Sequence, residues 1–331
     1  MIEIDGSRGG GQMLRNALSL SVIEQEPFRM ENIRGSRSSP GLKRQHMEAV
    51  KVLARISGAK TEGLSEGSTS LEFVPRGLEP EPFTANIGTA GSTTLLLDAV
   101  MPVTTQFDDS FRLRVKGGTD VRWSPTELYH RYVKLPLLKR YGFEAELELG
   151  KTGFYPKGGG ELTLETEPFS MQPVRPGRGE LRRFEIYSKA SAGLRDASVA
   201  ERQAGKAAKR LKKSHISVPV EKKHWYEDTL SPGSSLLVKA VYEDTVAGFD
   251  ALGEKGKRAE KVAEEAVEDF EAFHSTDANV DSHMADQLAV FLGVVGGEIT
   301  VPEVTDHVQT GLEVVRKFGK EGGLDGRFIS F

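Results

Sequence analysis

Apolar residues recur at three- and four-residue intervals through QMLRNALSLSVI and LKRQHMEAVKVLARIS, which predicts two helices, and FRMENIR alternates, which predicts a strand between them. With strands at MIEID, AKTEGL and TSLEFVP, residues 1 to about 80 read strand, glycine-rich turn, helix, strand, loop, helix, strand, strand. Residues 83 to about 167 repeat the order: FTANIG, the turn TAGS, helix TTLLLDAVMPV, strand FRLRVKGG, loop TDVRWSP, helix TELYHRYVKLPLLKRYG, then strands FEAELELG and GGGELTLETEP. Two βαβαββ units are therefore visible, and MADQLAVFLGVV, GEITVP and HVQTGLEVVRKFG supply parts of a third.

The units share a marker. In each, a histidine stands twelve residues before a glycine that ends an apolar helical stretch: His46 and Gly58, His130 and Gly142, His307 and Gly319. The histidines are 84 and then 177 residues apart, so the third unit reads as the same module interrupted by about 93 residues. The surplus matches a segment of different character, with strand-like FEIYSKAS, lysine-rich helix VAERQAGKAAKRLKK, a strand pair ISVPVEKKHW and SSLLVKAVYED, and helix RAEKVAEEAVEDFEAF. The predicted fold is α/β (α+β): a large domain of three βαβαββ units at residues 1–183 and 275–331, with an inserted α/β domain at residues 184–274.

Composition narrows the function classes. A chain of 331 residues, 38% hydrophobic and 28% charged, is that of a soluble globular protein. With no cysteine, disulfides and thiolate metal sites are excluded, and an intracellular, cytoplasmic setting is expected. No apolar run approaches a membrane span, and MIEIDGSRGG has no signal-peptide pattern. A net charge of −4 argues against a broadly basic nucleic-acid coat, but residues 30–60 hold Arg34, Arg37, Lys43, Arg44, Lys51, Arg55 and Lys60 against Glu31 and Glu48. Such a strip suits a focused anion such as a phosphorylated end, or else is a solvated helix face.

Several motifs carry candidate chemistry. The turn in DGSRGGGQMLR lets backbone N–H groups approach an anion, with Arg15 one helical turn in, and GTAGSTTLLLDAVMP repeats that geometry. Asp98 lies within the second, otherwise apolar helix, so its carboxylate needs a partner, a metal, a ligand or solvent. RGSRSSPGLKRQH gathers Arg34, Arg37, Arg44 and Gln45, and guanidinium groups grip phosphate bidentately. Gly158–Gly160 read as shaping a bulged hairpin. In SHMADQLAVFL, Asp286 and Gln287 precede an apolar stretch that a packed third unit would bring near His307.

In order and spacing, DGSRGGGQMLR, IRGSRSSPGLKRQH, GTAGSTTLLLDAVMP, GGTDVRWSP, GFYPKGGGE, HMADQL and TDHVQTGLEVV resemble the RNA 3′-terminal phosphate cyclase family over nearly the whole chain. The resemblance implies three βαβαββ units with a smaller thioredoxin-like α/β insert, and an ATP-dependent ligase that converts an RNA 3′-phosphate to a 2′,3′-cyclic phosphate. It places His307 as the nucleophile that becomes adenylylated, and His283, Met284, Ala285, Asp286 and Gln287 along the nucleotide site. Arg15, Arg34, Arg37, Arg44 and Gln45 fall on phosphate-binding positions. ATP and a divalent metal, Mg²⁺ or Mn²⁺, are the implied cofactors, RNA 3′-phosphate ends the implied partner, and a homodimer is left open. The chain departs from the family at the first turn, which is two residues shorter and has Arg8 where a metal-linked glutamate is usual, and at Asp98, where glutamine is usual. Its metal ligands are thus unassigned, with Asp98 the candidate for the metal or the nucleotide. Two rival readings are a non-catalytic RNA-processing scaffold of the same fold, and an enolpyruvyl transferase, which would carry six units.

Overall fold

The computed structural model describes residues 1–214 and 216–331. The first unit runs β1 (Ile2–Asp5), α1 (Gly11–Glu24), β2 (Phe28–Glu31), α2 (Arg44–Ser57), β3 (Lys60–Glu62) and β4 (Leu71–Val74), with sheet order β1-β2-β4-β3. The second runs β5 (Phe83–Asn86), α3 (Thr93–Val100), β6 (Phe111–Gly117), a helix made of α4 (Glu127–Tyr129), a π-helical stretch His130–Lys134 and α5 (Leu135–Lys139), then β7 (Ala145–Lys151) and β8 (Gly160–Thr166). Its sheet order, β5-β6-β8-β7, repeats that of the first. Strict alternation sets these sheets: in β6, Phe111, Leu113 and Val115 are buried while Arg112, Arg114 and Lys116 face outward.

After β8 the chain makes β9 (Leu181–Ser191), α6 (Val199–Lys213), β10 (Val220–Glu227), β11 (Ser234–Tyr242), β12 (Val246–Gly253) and α7 (Ala259–His274). The sheet order is β10-β9-β11-β12, so the strand pair expected from ISVPVEKKHW and SSLLVKAVYED is not a pair: β9 lies between them. β9 and β10 are parallel across the α6 crossover, whereas β11 meets β9 antiparallel, which separates the two strands. Ala204, Ala207 and Leu211 of α6 and Val262, Ala266, Val267 and Phe270 of α7 join this sheet in an apolar core of its own. Outside that core, Arg202–Glu260, Lys206–Glu264 and Arg210–Glu268 form a ladder of surface ion pairs between α6 and α7.

The third unit follows with α8 (Ser282–Val295), β13 (Glu298–Thr300), α9 (Asp306–Lys317), β14 (Gly323–Asp325) and β15 (Phe328–Ser330), ordered β13-β15-β14. Its opening strand position is filled by Val174, which bridges Gly297 in parallel from before β9. Three units are thus present, against the six of the enolpyruvyl transferases. They meet head to tail. The second helix of unit one packs on α3, and α9 of unit three packs on α1. At the remaining seam Tyr129 donates to Asp281 at 2.6 Å and the Phe143 and Phe291 rings meet edge to face at 5.7 Å. Among the described residues, no helix is long and apolar enough to cross a membrane.

The opposite face of β9 meets unit two through charge. Lys189, fully buried, reaches Asp120 at 2.9 Å, Glu127 at 2.5 Å and the Thr152 hydroxyl at 3.1 Å, and Tyr187 stacks on Tyr132 with centroids 4.1 Å apart. Burial pushes the Glu127 carboxyl up, and Lys189 acts against that shift. Removing the ammonium strands two buried carboxylates, which costs about 3–5 kcal/mol. Lys189→Met is expected to lower the unfolding free energy in a denaturant titration by that order, and adding Glu127→Gln should recover part of the loss. Equal stability of wild type and Lys189→Met would show that the ion cluster does not hold the seam.

Candidate active site

The site lies where α9 meets the first glycine turn. Gly10 caps α1 with no side-chain acceptor, and the next residues are too closely approached to carry a Cβ without a shift: one on Gly10 would stand 3.0 Å from Arg37 Nη2, and one on Gly11 2.3 Å from His46 Nε2. This small-residue turn brings the Arg37 guanidinium to the start of α1, where uncapped N–H groups favour an anion. Facing it, α9 is capped by Thr305, whose hydroxyl accepts from Val308 N at 3.1 Å. His307 follows in the first turn with a half-exposed side chain, its Nδ1 3.7 Å from Asp286 Oδ2. Asp286 is fixed in turn by the Thr305 hydroxyl at 3.4 Å.

Electrostatics sort the three repeat-equivalent histidines. Burial, then Arg37 and Arg15, lower the pKa of His307, so its imidazole is neutral at pH 7. His46 is buried, accepts from Lys43 N at 3.1 Å, and is pushed down to about 3 by burial and by Arg15, Arg34 and Lys43. His130 is buried with Nε2 2.7 Å from Asp98. Only His307 is open to a ligand. Burial raises the Asp286 carboxyl to about 6. His283 is half-exposed, edge-on to Tyr129 at 5.7 Å and 3.6 Å from Asp250; burial lowers its pKa, but Asp250, Asp281, Asp286 and Asp269 outweigh that and raise it.

The expected phosphate-binding residues do not form one grip. Arg15 is held beneath the site, its pKa lowered by burial and raised by Asp98 and Asp286. Gln45 accepts from Ser92 N at 3.2 Å and lines a small cavity with Arg15, His46 and Ser92. Arg34, in the left-handed conformation, donates to the carbonyls of Ser39 and Gly41 at 2.8 Å each and so closes its own loop. Arg44 is exposed and faces Glu66 at 3.8 Å, because the first turn of α2 carries it to the other side of the helix from His46. Arg37 alone of these three stands free at the turn.

Two further placements correct the sequence reading, and a third shows what Arg8 does. Asp98 is neither exposed nor available to a metal: Lys134 donates to its carboxylate at 2.5 Å beside His130, and the two residues, four apart, converge on it from one helix face. The side chains of Met284 and Ala285 are buried in the core, so these residues could meet a nucleotide only through the backbone of α8. Arg8, at the position where the resemblance led to the expectation of a glutamate, pairs with Glu313 of α9 at 3.1 Å across the seam. Among the described residues, no group of three or more His, Asp or Glu is arranged to hold a metal.

The sequence reading missed Gln12 and Asn16. Gln12 donates to the Asp286 carbonyl at 3.5 Å, while its Oε1, Asn16 Nδ2 and both polar atoms of Gln287 are buried without a protein partner. Gly311 admits α9 to this point, since a Cβ there would lie 3.1 Å from Gln12 Nε2 and 3.3 Å from Asn16 Nδ2. Unpaired buried amides are costly, and a polar ligand or water entering between α1, α8 and α9 would satisfy them. A signal existed: Gln12 and Asn16 are four apart, and so share one face of α1 among apolar neighbours such as Met13 and Ala17.

The family model described as RNA 3′-terminal phosphate cyclase matches residues 7–321. A protein of that name from Halobacterium salinarum is 39% identical over 327 residues, covering 95% of this chain and 94% of its own. Same-named proteins from Saccharolobus islandicus, 43% identical over 323 residues, and Hyperthermus butylicus, 42% identical over 328, each cover 96% of this chain and 94% and 91% of their own.

The buried neutral His46 makes stability pH-dependent. Its folded pKa lies below the unfolded value of 6.5, so its contribution is complete above that value and is lost as pH falls toward 3. The difference in unfolding free energy between wild type and His46→Gln should shift against the wild type by about 1.4 kcal/mol per pH unit between roughly pH 6 and pH 4. A pH-independent difference would show that the folded protein accommodates the imidazolium.

Proposed function

The chain belongs to the RNA 3′-terminal phosphate cyclase family, and on that premise we propose that it uses ATP to convert an RNA 3′-terminal phosphate into a 2′,3′-cyclic phosphodiester, releasing AMP and diphosphate. The observation that carries the reading is His307: a neutral, half-exposed imidazole at a helix start, beside Arg37 and backed by Asp286. Asp286 faces Nδ1, which leaves Nε2 to attack the α-phosphorus of ATP; a P–N bond forms, the bond to the β-phosphate oxygen breaks, and diphosphate leaves. The adenylylated imidazole bears positive charge, and the Asp286 carboxylate stabilises it. An oxygen of the RNA 3′-phosphate then attacks the same phosphorus, the P–N bond breaks, and AMP is carried on the RNA end in a diphosphate linkage. The neighbouring 2′-hydroxyl attacks the 3′-phosphorus, loses its proton and expels AMP; as an intramolecular step it has effective molarities of roughly 10⁵–10⁸ M available to it.

Gln12, Asn16 and Gln287 offer the unpaired amides that a ribose or a phosphate would satisfy, and His283 beside Tyr129 offers a flat polar edge to the adenine. Arg37 would take the terminal phosphate of the RNA. A divalent cation, Mg²⁺ or Mn²⁺, would offset triphosphate charge; the described residues offer it no ready-made cluster, and the steps above are independent of its position. The cytoplasm, where ATP meets RNA ends, is the proposed setting.

Incubation with α-labelled ATP should place label on the wild type and on His46→Gln but not on His307→Ala; label retained by His307→Ala would overturn the assignment of the nucleophile. Arg37→Gln should slow transfer to RNA by about 1.5–3 kcal/mol, the range of a charge-assisted hydrogen bond. Because Arg37 helps to lower the His307 pKa, the same variant should move the acid limb of self-adenylylation toward higher pH. An unmoved limb would show that Arg37 does not act on the imidazole.

A further inference from the structure

We propose that the loops carrying Trp123 and Tyr155 form a stacking platform for the single-stranded RNA that leads up to the reacting 3′ end. The inference rests on the cyclase reading for the identity of the substrate and on surface features that the reading does not use. Five large apolar side chains are exposed among the described residues, and three of them, Trp123 at 93%, Tyr155 at 73% and Leu230 at 62%, come from loops tied together. A bridge joins Asp120 to Phe154, a second joins Phe154 to Gly158 under Tyr155, and Lys157 N donates to the Ser231 hydroxyl at 3.1 Å. Gly159 is closed in by Leu230, whose Cδ1 would lie 2.4 Å from an added Cβ.

Trp123 is held out at a cost. Its φ of 68° is left-handed, a conformation that disfavours a bulky side chain, and at 93% exposure the indole recovers little by burial. The loop is anchored on either side: Arg122 pairs with Glu254, and Thr126 N donates to Asp250 at 2.7 Å. An indole fixed in water by a strained backbone is pre-organised for a flat partner.

The platform rests on backbone that leads to the cavity beneath the candidate active site. A Cβ on Gly158 would lie 2.9 Å from Ala90 Cα, Gly118 N donates to Gly91 O at 2.8 Å, and the next residue, Ser92, donates its N–H to Gln45, which lines the cavity with Arg15. Ala90–Ser92 thus connects the aromatic loops to Gln45 and to the cavity beneath the candidate site. Lys157 is exposed and forms no ion pair among the described residues, so it can meet a backbone phosphate between the stacked bases. Exposed aromatics interleaved with a free cation bind single strands through base faces without reading sequence, whereas a duplex keeps those faces covered. Three loop-tip side chains are also small beside the roughly 800 Å² per partner of a stable protein interface.

The chain has two tryptophans, so Trp225→Phe leaves Trp123 as the only one. Its fluorescence should be quenched by a single-stranded oligoribonucleotide of about ten residues ending in a 3′-hydroxyl, and not by the same strand in a duplex. Trp123→Ala and Tyr155→Ala should each raise KM for a 3′-phosphorylated strand of that length about tenfold, with KM for a dinucleotide 3′-phosphate and the yield of protein-bound AMP unchanged. Quenching equal for single strand and duplex, or KM changes equal for long and short substrates, would overturn the platform. So would a dimer in sedimentation that Trp123→Ala dissolves, since the patch would then belong to a second copy. If the wild type forms no protein-bound AMP, the cyclase reading fails, while quenching by the 3′-hydroxyl strand still reports on the platform.

Discussion

Arg15 keeps a guanidinium beneath the site, and a guanidinium cannot escape burial by losing its proton. The other two units therefore each bring a carboxylate toward it: Asp98 from α3 and Asp286 from α8. Arg15 and Asp286 both stand five residues after their helix caps, Gly10 and Asp281, so the same position in two copies of the module carries opposite charges. Asp98 is in turn fixed by Lys134 and His130, and Asp286 by Thr305. Loss of any one partner would leave a desolvated charge, an error of several kcal/mol in a fold whose net stability is not much larger. The close approach at Gly311 lets α9 come down on α1 and α8 beside these groups.

That arrangement explains why three equivalent histidines have three different roles. Each lies near the start of the second helix of its unit, at a seam with a neighbour. At the first seam His46 is covered by the glycine turn and by three cations, and bonds to its own helix cap; at the second His130 is drawn into the Asp98 cluster. At the third, α9 meets a turn stripped of side chains, so His307 is left open, with its charge suppressed and a carboxylate behind it. A repeated scaffold thus leaves one open imidazole, because the seams differ in what covers the same position.

Much of this was legible in the sequence. The βαβαββ order of the first two units follows from period and alternation, and the histidine-to-glycine spacing found the third. The expected strand ends differ from the observed ones by a few residues; α6 matches its predicted string throughout, since VAERQAGKAAKRLKK carries an alanine and leucine stripe between lysines. β12 was missed because VAGFDALG contains two glycines and no clean alternation, and β14 and β15 because three residues are too short to show a period. Pairing partners were not legible, hence the mistaken strand pair of β10 and β11. At the site, residue types were easier to read than their company: nothing near Asp98 in sequence points to Lys134, and Arg34 and Arg44 differ from Arg37 only in where a loop and a helix turn send them.

Val174 and Gly297 pair across 122 intervening residues to complete the third unit. Closing a loop of that length is entropically unfavourable, and the penalty grows only slowly with length once the chain between is flexible. Here most of the intervening segment, from β9 to α7, has an apolar core of its own, and α8 then leads directly to Gly297. If it collapses first, the distance to be closed shrinks from a long coil to the gap between two ends of a folded body. The sheet of the third unit then needs only that gap closed, and α9, which carries His307, belongs to the same unit. Chain order thus ties the candidate site to the end of synthesis: no partial product that stops short of α9 carries His307.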